Sequence, residues 1–150
     1  MGTTLSYTRL PWEDAFKEPT IAALRKPLPA PSAKLFDSAR KQLLAIDGIR
    51  EEFEWYGEGW RWAVSYRRNG DGSPFAVLIP NPEDLQLAVP LDRAFLGSLR
   101  LKDLKRTVRD GLELASAPFH TNWGIWSLQS SGLLTDLRKI ISRKRDFNGA

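Results

Sequence analysis

Cysteine is absent from this 150-residue chain, and histidine and methionine each occur once. The first absence excludes disulfides, thiolate metal sites and a cysteine nucleophile. With no cysteine and no second imidazole, His120 belongs to no familiar zinc motif. Long apolar runs are missing as well. Phe75-Ala76-Val77-Leu78-Ile79 is among the longest, far short of a membrane span. The start, MGTTLSYTRLPWEDAFKEPT, lacks a basic stretch followed by an apolar core, so it does not read as a secretory signal. Cytoplasmic residence without a membrane partner is the expectation. There is no strand-to-helix G-x-G-x-x-G and no G-x-S-x-G, which weighs against a nucleotide fold and a serine-hydrolase elbow.

What is present describes one folded domain. A chain of this length buries about 68–70% of its unfolded surface and needs no covalent staple. Hydrophobic residues at 42% and charged residues at 27% are ordinary globular values. The net charge of +4 is unevenly placed. Residues 1–99 carry 12 basic and 13 acidic side chains, whereas 100–145 carry ten and four. Aromatic residues are concentrated too: Trp55, Trp60 and Trp62 fall in FEWYGEGWRWAVSYR, and Trp123 and Trp126 frame a second segment.

Residues 1–31 read as a proline-rich arm, with a short helix near Thr20–Arg25 and an extended Pro27-Leu28-Pro29-Ala30-Pro31 stretch. Residues 32–147 read as a single α+β domain, and 148–150 as a tail. Ser32 caps a helix expected over 33–46, with Leu35, Phe36, Ala39, Leu43 and Ile46 on one stripe and Gly48 beyond its end. The period then drops to two. Phe53 and Trp55 precede a hairpin turn at Gly57-Glu58-Gly59, and Trp60, Trp62, Val64 and Tyr66 follow it on one side of a strand. Turns at Asn69-Gly70-Asp71-Gly72 and Asn81-Pro82-Glu83-Asp84 bound further strands at 74–79 and 85–91. Asp92–Leu96 suggests a helical turn. Leu101, Leu104, Val108, Leu112 and Ala115 predict a helix over 101–116, with Gly111 admitting a close neighbour. A fifth strand around Trp123–Leu128 and a helix over 133–144, capped by Ser130 or Ser131, complete the chain. The predicted fold is α+β: a five-stranded, mainly antiparallel sheet with helices packed on one face. The opposite face, with its Arg, Ser and Gln, is expected to stay partly wet.

Three segments carry a resemblance over residues 12–147: DAFKEPTIAAL, WYGEGWRWAVSYRR with the following FAVLIPN, and NWGIWSLQSSGLLTDLRKIISRK. Their order is similar to that of a bacterial family of small α+β domains of unknown function, broadly YdhG-like or YjbR-like. The resemblance implies a compact antiparallel sheet with packed helices and no established cofactor. It brings no functional residue to any position of this chain.

Candidate sites follow from residue chemistry. Trp60, Trp62, Tyr66 and Trp123 can line an aromatic pocket beside the sheet for a small organic ligand, or form core. Lys105, Arg109, Arg138, Lys139 and Arg143, with Lys102, Arg106, Lys144 and Arg145 nearby, can contact a nucleic-acid backbone or simply solvate two helices. A hydrolase-like site would need Glu52, Glu54, His120 or a tyrosine to meet around a pocket, whereas two glutamates flanking Phe53 satisfy strand alternation alone. The reading is a non-catalytic binding or interaction domain, with no cofactor or metal implied.

Overall fold

The computed structural model describes residues 10–70, 72–112 and 123–147. Its centre is a meander of five strands: β1 (Ile49–Trp55), β2 (Trp62–Arg68), β3 (Ala76–Ile79), β4 (Gln86–Pro90) and β5 (Trp123–Ser127). They lie in chain order, each antiparallel to the next. Register places Phe53, Val64, Leu78, Leu87 and Trp126 in one row across the sheet. Trp62 and Tyr66 share that face by alternation. The adjacent row, Glu52, Ser65, Val77, Ala88 and Ile125, points to the other face.

Helices cover the first face. α1 (Ile21–Arg25) is capped by the Thr20 hydroxyl, which accepts from Ala23 N at 3.1 Å. α2 (Ala30–Leu44) buries Leu35, Phe36, Ala39 and Leu43 of the stripe read from the sequence, with Ala33 beside them, while Ile46 is buried just past the helix end. It starts at Ala30, however, and Ser32 lies inside it. Proline is well accommodated in a first turn, where its missing N–H would have no intrahelical partner, so Pro31 does not delay the helix. α4 is the short helix Arg93–Ser98, capped by Asp92 Oδ1 through Phe95 N at 2.7 Å. α6 (Ser131–Asp146) takes its cap from Ser130, whose hydroxyl accepts from Leu133 N at 3.1 Å. Its buried Leu134, Leu137, Ile140 and Ile141 form the inward stripe, and it contacts both α2 and the short helix at Arg106–Asp110. Trp12, Leu24 and Leu28 of the N-terminal segment belong to the same buried core.

Two expected elements have other forms. Gly57-Glu58-Gly59 is not a tight hairpin but part of a helical turn, α3 (Gly57–Trp60), and Trp60 lies in it rather than on β2. Gly57 enters at φ +85 and Arg61 leaves at φ +59, while Tyr56 N donates to Arg61 O at 2.8 Å to close the loop. The predicted helix over 101–116 is instead a 3-10 turn at Leu101–Asp103 followed by α5 (Arg106–Asp110). Extended backbone at Lys105 separates them, and spacings of three and four residues suit either helix type. Ala115 lies outside the described residues, as does Asp71 of the predicted turn beside Gly70.

The second face of the sheet is dry at its centre, against expectation: Ala63, Ser65, Val77 and Ala88 are fully buried. Edge geometry gives the reason. β1 and β5 are opposite edges, yet Trp60, just beyond β1, meets Trp123, the first residue of β5, with ring centroids 5.0 Å apart. The sheet therefore curls until diagonal corners touch, and the small side chains lie on the inside of the curl. Arg67 and Gln86, nearer the margins, keep partial exposure. On the helix-covered face Trp126 is held just as closely. Its Nε1 donates to Val108 O at 2.9 Å, and a Cβ added at Gly111 or Gly124 would overlap its indole.

Candidate functional site

Tyr66 and Trp62 belong to the packed interior. Tyr66 is fully buried, and its hydroxyl donates to Glu51 Oε2 at 2.7 Å. Arg40 of α2 grips the same carboxylate with two hydrogen bonds of 2.9 Å, so strand and helix are joined by a satisfied three-residue network. Burial, then the adjacent Glu51 charge, drives the Tyr66 pKa well above the ordinary tyrosine value. Trp62 packs edge-on against Trp55 at 5.8 Å and donates its Nε1 to Asp14 O at 2.5 Å. The polar handles of both residues are used internally.

Trp60 and Trp123 are brought together and remain partly exposed. Their planes cross at 85°, an edge-to-face pair. Tyr56 extends the cluster, 5.4 Å from Trp60, and its hydroxyl is 2.6 Å from Ser65 Oγ on the floor of the curl. Burial raises the Tyr56 pKa, against the hydrogen bond shared with Ser65, which lowers it. Tyr56 was not among the residues singled out from the sequence. Its signal was there, because alternation from Trp55 sends it to the face opposite the helices. Fully buried and tied to Tyr56, Ser65 offers no accessible nucleophile.

The corner is braced from the N-terminal side. Trp12 Nε1 donates to Trp60 O at 3.0 Å. Arg61 pairs with Glu13 and lays its guanidinium 4.8 Å from the centre of the Trp12 ring. These contacts hold Arg61 at a positive φ that a side chain ordinarily avoids. Trp60 is thus fixed from two sides.

The acidic candidates are engaged in ion pairs. Glu54 pairs with Arg67, and Glu52 bridges Arg50 at 2.7 Å and Arg67 at 3.4 Å. His120 lies outside the described residues. Among those described, no group of three or more His, Asp or Glu side chains is placed to hold a metal ion. No described helix is long and apolar enough to cross a membrane. Among the described residues, the best-formed surface cavities are lined by residues other than Trp60 and Trp123. One of them joins Arg68, Phe75, Asp92 and Lys144 around about 210 Å³.

The basic residues separate into two kinds. Arg25, Arg40, Arg50, Arg61 and Arg67 each pair with a carboxylate. Lys105 reaches Asp136 at 3.3 Å, tying α5 to α6. Arg109, Arg138, Lys139 and Arg143 are exposed, with no acidic partner among the described residues. No family model, curated protein or solved structure matches this chain.

Proposed function

We propose that the chain is a cytosolic, non-catalytic binding domain, and that a planar organic ligand docks against the Tyr56–Trp60–Trp123 corner. A place in the family suggested by the sequence resemblance accords with that reading and supplies no site of its own. One observation carries it: two indoles distant in the chain meet edge to face and stay partly exposed beside a closed core. An edge-to-face pair makes an apolar angle against which a flat ring can stack. The bracing by Trp12 and Arg61 fixes the angle before a ligand arrives, which lowers the ordering cost of binding.

Titrating planar heteroaromatic compounds while following tryptophan fluorescence tests this reading. Saturable quenching should disappear in Trp60→Leu and Trp123→Leu and persist in Trp62→Phe, whose ring faces the other side. Quenching equally sensitive to all three substitutions, or absent from the parent protein, refutes the corner as the site.

A second reading is favoured by the exposed basic surface. Arg138, Lys139 and Arg143 of α6, with Arg109 of α5 and the Asp136-paired Lys105 beside it, suit contact with nucleic-acid phosphates. Basic residues in the last turns of α6 also complement its helix dipole, a purely structural use of the same charges. Replacing Arg138, Lys139 and Arg143 together by glutamine should flatten the salt dependence of duplex binding if the phosphate reading holds. Salt-insensitive binding, or none at low salt, removes it.

A further inference from the structure

We propose that this chain forms a twofold dimer in which Phe16 of each copy inserts into the groove beside Phe16 of the other. Phe16 is 92% exposed, while the other exposed large apolar side chains among the described residues, Leu10 and Leu44, reach only 36% and 43%. Single exposed apolar residues are common on protein surfaces and need no partner. Phe16 differs in how firmly it is presented. Asp14 Oδ1 accepts from Phe16 N at 3.1 Å, and Asp14 O accepts from Lys17 N at 3.3 Å, so the residue sits at the tip of a closed turn. The same Asp14 carbonyl receives the Trp62 indole N–H, which anchors the turn to β2. A ring held out on a braced turn loses little freedom when it docks.

The receiving surface lies directly alongside. Pro11, Pro19 and Ala23 give a groove of about 280 Å³ its apolar lining, and Asp14, Lys17 and Glu18 give it charge of both signs. A cavity of about 150 Å³ lined by apolar side chains is enough to take up benzene, so the space suits one phenyl ring. Phe16 of the same chain does not fill it, as its exposure shows. A knob beside its complementary groove on one surface is what a twofold interface requires, because each patch must fit a copy of itself. The charges can obey the same condition: Lys17 of one copy is set against acidic Glu18 of the second, and the exchange is reciprocal. That self-complementarity selects a second copy over a foreign apolar partner.

Sedimentation equilibrium on the full chain, supported by light scattering after size exclusion, tests the proposal. A reversible dimer is expected. Phe16→Ser removes two buried rings per dimer and should weaken association on the order of a hundredfold, with an unchanged circular dichroism spectrum because the side chain is exposed in the monomer. Lys17→Glu should also weaken the dimer, and the exchange Lys17→Glu with Glu18→Lys should restore it. A chain that stays monomeric at its highest soluble concentration overturns the proposal. So does a dimer indifferent to Phe16→Ser, which would locate the contact elsewhere.

Discussion

At the scale of single residues, the tightest constraints surround Trp126 and Arg61. A Cβ at Gly124 would come within 2.6 Å of the Trp126 ring, and one at Gly111 closer still. Gly124→Ala and Gly111→Ala should each cost about 1–3 kcal/mol or more, as overpacking does, measured by urea denaturation. The sequence marked Gly111 as a place of close approach but not which ring would approach, since Trp126 comes from a distant segment. Arg61 tests strain against contact. Arg61→Ala loses the Glu13 pair and the Trp12 stack while keeping positive φ; Arg61→Gly loses the same contacts and relieves the backbone. The glycine variant should therefore be the more stable of the two by about 1 kcal/mol. Equal stabilities would show that the turn relaxes when the side chain is cut back.

At the scale of elements, two-residue alternation located β1, β2, β4 and β5, whereas β3, an apolar run buried on both faces, was legible from the turns that bound it. That same rhythm misassigned Trp60. Its two-residue spacing from Trp62 satisfies a strand pattern, and nothing local reveals that Gly57 at φ +85 starts a helical turn there. The candidate site was legible to the same degree: Trp60 and Trp123 were identified, whereas their meeting depends on curl across five strands. Tyr66 and Trp62 were grouped with them because spacing alone does not distinguish a core row from a pocket wall. Helix caps were clearer. Ser130→Ala removes the acceptor for Leu133 N and should cost about 1 kcal/mol, whereas Ser131→Ala, at the first helical position, should cost less. A reversed order in thermal or urea unfolding would mean that α6 is capped differently.

At the scale of the whole molecule, one buried and one half-buried tyrosine set an upper pH limit on stability. Tyr66 and Tyr56 both have raised pKa values in the folded chain, chiefly through burial. In the unfolded chain they ionise near the ordinary value of about 10. Their contribution is complete below that pH and is lost as pH rises toward the folded values, because the unfolded chain releases protons first. Urea midpoints should consequently fall above about pH 10, and Tyr66→Phe should flatten the decline. At neutral pH that substitution should itself cost about 1–2 kcal/mol through the lost hydrogen bond to Glu51. An unchanged alkaline slope would assign the decline to other groups.

The uninterrupted strand order has a kinetic consequence. Since every pairing joins neighbours along the chain, the sheet can zip from hairpin to hairpin, with a single larger loop to close before β5. The touch between Trp60 and Trp123 requires the finished curvature and so belongs late on the route. Truncating either indole should quicken unfolding and leave the refolding rate nearly unchanged, making this corner a latch on the lifetime of the native state.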